Sequence, residues 1–406
     1  MLTLKDFEDA ASRLKNVLHS IPLSSSHTFS EMTGADVYLK YENQQKTGSF
    51  KVRGAYNKIM KRNGEGGLSS VIASSAGNHA QGVAFAASSI GVPATIVMPR
   101  STPIAKVSAT EGYGANVVLA GACYDDAYAK ACEIMKETGA EFIHPFDDED
   151  VMAGQGTIAL EILRDLPFVD MIFVPAGGGG LISGIAACAK QVNPRVQIIG
   201  VQADGAPAIA NSFHHPEILS SESVRTIADG IAVRTPGSKT MEYINQYVDK
   251  MVTVSDADIA SSILLLLERA KQVVEPAGAT SLAAVLGKKV DIEGKKVVCV
   301  LSGGNIDMSF IHKVVEKGLV SRSRHVKFST IMPDVPGSLE RFARIVAEQN
   351  ANVILFNHDR VQADLEIGEA IISVVVELGG KEHADKLYQA LEDAGYQILE
   401  DTIHHK

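Results

Sequence analysis

Met171-Ile172-Phe173-Val174-Pro175-Ala176-Gly177-Gly178-Gly179-Gly180-Leu181 is an apolar run broken by four glycines. The run at 171–174 has no polar alternation, so it predicts a strand buried on both faces. The Ala-rich stretch from about Leu181 to Lys190 predicts a helix. Strand, glycine turn and helix make up the repeating unit of a parallel α/β sheet. The unit recurs upstream. Strands are predicted at Val37–Glu42, Ser70–Ser75, Ala94–Met98, Asn116–Leu119 and Glu141–Ile143, with helices at 4–20, 80–90, Ile104–Gly112 and Tyr124–Thr138 between them. Downstream lie a helix at Ile158–Leu163, a strand at Gln197–Val201, helices at Ile259–Val273 and Pro276–Leu286, and a strand at Lys296–Leu301. Residues 1–317 therefore read as one α/β unit, two sheets with a cleft between them and a smaller subdomain at about 45–150.

Gly318 to His325 reads as a linker, and the tail at 326–406 changes character. Strands at Val326–Met332, Asn352–His358, Ala370–Leu378 and Tyr396–Glu400 alternate with helices at Pro336–Asn350 and Lys381–Ala394. That order is the ferredoxin-like α+β plan. A chain of 406 residues has room for about two to three domains.

Hydrophobic residues make up 46%, enough for large cores. The net charge is −10, of which −7 falls from Val326 onward. An acidic chain with no basic patch is a poor nucleic-acid binder. No apolar run reaches roughly 18 residues and the first residues carry no signal pattern, so no membrane span is expected and a cytoplasmic location is. The four cysteines form no CxxC pair, and Cys188 and Cys299 read as reduced, buried hydrophobes.

Lys51 lies between Phe50 and Val52, just after the turn Thr47-Gly48-Ser49 and at the start of an apolar-periodic stretch. Shielding on both sides lowers an ammonium pKa, and a free amine is what forms imines. Three turns accompany it. Gly177 to Gly180 can turn backbone N–H groups inward at a helix N-terminus and hold a phosphate monoester. No Walker lysine follows, and G-x-G-x-x-G is absent. Ser75-Ala76-Gly77-Asn78-His79 offers N–H groups to a carboxylate and the Asn78 amide to a phenolic oxygen, although an ordinary turn has the same composition. His79 reads as an oriented structural histidine. Ser302-Gly303-Gly304-Asn305 closes a strand at its C-terminal edge, where Ser302 could bond a ring nitrogen or simply cap a turn. Together an imine-forming lysine, a cradle for one phosphate and small polar groups for a ring describe pyridoxal 5'-phosphate. A neutral serine as ring-nitrogen partner favours β-elimination or β-replacement over transamination.

Lys46-Thr47-Gly48-Ser49-Phe50-Lys51-Val52-Arg53-Gly54-Ala55 and these three turns, with Leu181, resemble the threonine dehydratases (threonine ammonia-lyases), fold-type-II pyridoxal-phosphate enzymes with a tryptophan synthase β-like open-sheet fold. The resemblance implies that Lys51 binds the cofactor as an imine and that Phe50 packs beside the ring. It further implies that Asn78 bonds the ring hydroxyl, Gly177, Gly178, Gly179, Gly180 and Leu181 hold the phosphate, and Ser302 meets the ring nitrogen. Ser75, Ala76, Gly77, Asn78 and His79 then bind the substrate. The tail, with Pro333-Asp334-Val335-Pro336-Gly337-Ser338-Leu339, resembles an ACT domain, which in that family binds an amino-acid effector at a subunit interface.

The implied reaction converts L-threonine to 2-oxobutanoate and ammonia, with L-serine a slower substrate, in isoleucine synthesis or threonine catabolism. The implied assembly is a homotetramer. Serine racemases carry a serine where this chain has Ala76, so racemisation lacks its second-face donor. Those racemases also hold a divalent cation through an acidic residue near Gln202. Glutamine is a poorer ligand for a hard cation, so no metal is expected. The rivals are a serine dehydratase or racemase on this scaffold, a cysteine synthase-like β-replacement enzyme and, from another class, a non-catalytic amino-acid sensor.

Overall fold

The computed structural model describes residues 1–360 and 365–399. The chain divides into two compact units, Met1–Asp307 and Met308–Lys406. The first unit has ten strands: β1 Ser24–Ser25, β2 Asp36–Tyr41, β3 Val71–Ser74, β4 Ala94–Met98, β5 Asn116–Leu119, β6 Glu141–Phe142, β7 Met171–Pro175, β8 Gln197–Ala203, β9 Lys250–Val254 and β10 Lys296–Leu301. They form a six-stranded sheet, β1-β2-β10-β7-β8-β9, and a four-stranded sheet, β5-β4-β3-β6. Every pairing is parallel except β1 with β2. All five residues of β7 are buried, as an apolar run covered on both faces by helices requires. Register runs Lys296↔Asp36 to Leu301↔Tyr41 and Cys299↔Phe173. Ser302 and Gly177 thus emerge from the same end of neighbouring strands.

Three helices stack at the centre. Lys51–Gly66 crosses Glu149–Asp165, which crosses Gly180–Val192. Glycines stand at both crossings because the backbones nearly touch. A Cβ on Gly154 would lie 2.5 Å from the Arg53 carbonyl oxygen, and one on Gly156 2.6 Å from that of Gly184. Beneath the first crossing, Arg53 is fully buried. Its Nε and Nη2 donate to Glu42 at 2.8 Å each, its Nη1 and Nη2 to Glu161 at 2.7 and 2.9 Å, and Nη1 also to Thr157 at 3.0 Å. Lys40, also fully buried, reaches Glu161 at 2.6 Å.

In the second unit the strands are β11 His325–Pro333, β12 Asn352–Asp359, β13 Glu369–Glu377 and β14 Ile398–Leu399, in the antiparallel order β12-β13-β11-β14. Helices Ser338–Glu348 and Lys381–Asp393 join them, completing the ferredoxin-like plan. Phe328, Phe342, Val374, Leu387 and Leu391 are core residues there. Edge strand β12 leaves Val353, Ile354, Leu355 and Phe356 exposed.

Several expectations are corrected. The first helix ends at Leu14, not at residue 20. The helix expected at Ile158–Leu163 starts nine residues earlier, at Glu149, where Asp148 accepts from the N–H of Asp150 at 2.8 Å. The helix expected to reach Val273 is α-helical over Asp256–Leu265, continues as a π-helical turn at Leu266–Ala270 and ends there, with Lys271 at φ +56°. The unit boundary falls at 307/308 rather than 317. Gly318 to Ser321 are the last turn of a helix, Met308–Ser321, so no extended linker fills 318–325. The final strand is Ile398–Leu399, and Glu400, expected to close it, lies outside the described residues. Among the described residues no helix is long and apolar enough to cross a membrane.

Candidate active site

The strand ends bring the predicted residues together. The chain climbs from β2 through a short 3-10 turn, Lys46–Gly48, with Thr47 at φ +62° and Gly48 at φ +71°. A β-branched residue is strained in the left-handed region. Asn305 holds it there, its Nδ2 donating to the Thr47 carbonyl at 2.6 Å. The Ser302 turn is laced to the same segment: Phe50 N–H donates to the Ser302 carbonyl at 3.1 Å, and Gly304 N–H to Gly48 at 2.9 Å. Lys51 therefore begins its helix against the C-terminal end of β10.

Asn78 opens the helix Asn78–Ser88 that follows β3. Its Oδ1 accepts from Asn305 Nδ2 at 2.8 Å, and its Nδ2 donates to Glu275 at 2.8 Å. The amide is thereby fixed in orientation with one N–H to spare. His79 is buried. Its Nε2–H donates to the Ile143 carbonyl at 2.8 Å, and burial, aided by the Lys51 charge, pulls it down to about 3. A neutral imidazole tied to a strand end is an orienting group, as expected. Its Nδ1 is buried without a partner.

Lys51 is half-buried. Its Nζ donates to the Pro145 carbonyl at 2.8 Å and lies 5.2 Å from the Phe50 ring centroid. Burial lowers its pKa to about 8, with the Glu275 carboxylate opposing the shift. Glu275 itself is 5% exposed, and burial raises it to about 7 against the Asn78 hydrogen bond. Its N–H donates to the Gly303 carbonyl at 3.0 Å.

The glycine run turns from β7 into the helix Gly180–Val192, with Gly179 at φ +99°. The first N–H groups of that helix have no intrahelical partner and face its N-terminal end. Phe146 covers the run: a Cβ on Gly178 would strike its ring, and one on Gly180 would lie 2.8 Å from its Cα. Pro145, which holds Lys51, and Phe146 are consecutive. A strap, His144 to Asp147, thus joins lysine to glycines. His144 Nδ1 braces it by accepting from the N–H groups of Phe146 and Asp147 at 3.2 and 2.8 Å. Asp147 in turn accepts the Thr240 N–H at 3.0 Å.

Phe50 and Lys51, the Ser75 to His79 turn, the Gly177 to Leu181 run and Ser302 all follow or abut this end of the strands. Glu275, the strap and Thr240 were not anticipated. Glu275 precedes Pro276 and reads as an ordinary N-cap, although an acidic residue directly after the apolar pair Val273-Val274 is itself a signal. The strap has no periodicity at all. Gln202 is fully buried, its Oε1 accepting the Ala210 N–H at 2.8 Å.

A phosphorylated pyridine aldehyde fits these residues. The amine has a lowered pKa, the glycine run admits no Cβ and leaves helix N–H groups unpaired, and Asn78 retains a free donor. Fully buried Ser49 Oγ, two residues from the lysine, also lacks a partner.

Residues 16–303 match the family described as pyridoxal-phosphate dependent enzymes. An L-threonine ammonia-lyase of Thermotoga maritima is 48% identical over 398 residues, 98% of this chain and 99% of that one. Among solved structures, the processed threonine deaminase isoform 2 of Solanum lycopersicum superposes with a TM-score of 0.74 at 37% identity, covering 77% of this chain and 87% of that one. Maize serine racemase gives 0.73 at 36%, covering 78% and 98%. Extent of match, fold and site chemistry agree, and the chain belongs to the pyridoxal-phosphate dependent enzymes of the tryptophan synthase β-like fold.

Proposed function

We propose that the protein is a threonine ammonia-lyase that converts L-threonine to 2-oxobutanoate and ammonia and turns over L-serine more slowly to pyruvate. One observation carries the reading: a lysine of lowered pKa shares a four-residue strap with a glycine run at a helix N-terminus. The near-full-length match to an ammonia-lyase selects the substrate class.

When bound, pyridoxal phosphate supplies the electron sink for charge developing at the substrate Cα. Gly177 to Gly180 and Leu181 would hold its phosphate, Asn78 its ring oxygen and Ser302 its ring nitrogen, with Phe50 beside the ring. Lys51 would anchor it, and its free amine would be the base that takes the substrate Cα proton. A pKa near 8 leaves roughly a tenth of that amine free at pH 7, about two orders of magnitude more than an ordinary lysine. The Ser75 to His79 turn takes the substrate carboxylate through its N–H groups. Ala76 has no hydroxyl to deliver a proton from the opposite face, so loss of the β-hydroxyl outruns racemisation. The released enamine hydrolyses in water.

The ferredoxin-like unit serves as an ACT-type regulatory domain for an amino-acid effector, and the exposed apolar edge β12 is where a second copy docks within a tetramer. We place the enzyme in the cytoplasm. The resemblance to maize serine racemase supports a second reading as a serine dehydratase or racemase. Initial rates with L-threonine and L-serine, a chiral assay for D-serine, and repeats with isoleucine, valine and nucleotides test these assignments. Lys51→Ala is expected to lose the visible cofactor band and turnover together. A fully active variant overturns the mechanism, and a higher kcat/KM for serine overturns the substrate.

A further inference from the structure

Thr240 lies on the helix Ser238–Tyr247 and carries none of the direct roles assigned above. It is fully buried, and its hydroxyl lies 2.8 Å from the Gly178 carbonyl oxygen and 3.0 Å from that of Gly237. The Gly237 N–H also donates to the Gly178 carbonyl, at 3.4 Å. The peptide Gly178–Gly179 is trans, so its C=O and N–H point in opposite directions. A carbonyl drawn toward Thr240 therefore turns the Gly179 N–H the other way, to the side the glycine run presents at the helix N-terminus. Gly179, at φ +99°, adopts the conformation that makes this turn. Nor can residue 179 gain a side chain to fix the turn itself, since a Cβ there would lie 2.7 Å from Thr240 Cβ.

Thr240 is itself held from both sides. Its N–H, an orphan in the first turn of its helix, donates to Asp147 at 3.0 Å, and its carbonyl accepts from Ser183 Oγ at 3.0 Å. Asp147 belongs to the strap that holds Lys51, and Ser183 to the helix that follows the glycines. The hydroxyl thus sits where the lysine support and the phosphate helix meet.

We propose that Thr240 is the positioning residue of the phosphate cradle, setting the Gly178–Gly179 peptide so that its N–H faces a phosphate. The proposal rests on the assignment of Gly177 to Gly180 as the phosphate site. Thr240→Val keeps the shape and removes the donor, while Thr240→Ser keeps the donor. The readout is binding to cofactor-free protein, by absorbance titration, of pyridoxal 5'-phosphate and of pyridoxal, which lacks the phosphate. Loss of one buried hydrogen bond, about 1.4 kcal/mol, corresponds to about a tenfold rise in Kd. Thr240→Val is expected to show that rise for the phosphorylated ligand and little change for pyridoxal, and Thr240→Ser to restore the wild-type preference.

Equal weakening of both ligands by Thr240→Val would mean a general disturbance of the fold and overturn the proposal. So would an unchanged preference for the phosphorylated form. If instead the wild-type protein shows no preference between the two ligands, the phosphate assignment itself falls, an outcome distinct from the other two.

Discussion

Arg53→Met is the substitution that probes the centre of the molecule most directly. The guanidinium uses all five of its N–H bonds, two on Glu42, two on Glu161 and one on Thr157. Methionine replaces the stem and removes the charge. Glu161 keeps Lys40 at 2.6 Å and is 24% exposed, so it retains a counter-charge and some water. Glu42 is fully buried, and Arg53 is its ion-pair partner. Breaking a buried pair on one side costs about 3–5 kcal/mol, because the remaining charge is uncompensated. With a urea slope on the order of 3 kcal/mol/M, the unfolding midpoint should fall by about 1 M or more. The Arg53→Met/Glu42→Met variant removes both charges and leaves the Lys40–Glu161 pair intact, so most of the loss should return. The assay is urea unfolding followed by far-UV circular dichroism, with activity alongside because Lys51 begins the same helix. An Arg53→Met midpoint equal to wild type, or a double variant no better than the single one, would refute the reasoning.

Glu275→Gln tests the raised carboxyl. A folded-state pKa of about 7 against 4.5 unfolded means that the native state binds the proton more tightly. Stability from this group is present below pH 4.5 and is lost as pH rises through 7, with an upper bound of about 3 kcal/mol. Relative to the glutamine variant, cofactor-free wild type should therefore lose stability across that window in urea midpoints, and a constant difference would contradict it. Gly178→Ala drives a methyl into the Phe146 ring and should weaken pyridoxal 5'-phosphate binding by about tenfold or more, since the strap must move. An unchanged Kd would show that the strap yields freely.

Much of the fold was legible where local signals agree. The elements Asn116–Leu119, Tyr124–Thr138, Pro276–Leu286 and Lys296–Leu301 end where turn and cap residues say they should. The helix Glu149–Asp165 is legible only from Ile158 on, since two glycines, Gly154 and Gly156, stand in its first half. They are there for helix crossings, a tertiary requirement that no local pattern carries. Helix Ser238–Tyr247 and strand β9 were missed altogether, and Thr240 with them. The glycine run and Lys51 were legible because few other jobs need those residues in that order. Glu275 was not, since its buried setting depends on Asn78 and Gly303, both far outside any local window around it.

The two glycine crossings have a metrological consequence. From the helix of Lys51 to the helix that opens at Gly180, the closest approaches are main chain against main chain, at Gly154 on Arg53 and at Gly156 on Gly184, where no side chain can change rotamer to alter the spacing. The lysine and the cradle behave like the jaws of a caliper locked at one setting. Residues around the jaws can vary and retune which amino acid is admitted, while the length of the ligand that spans them stays the same.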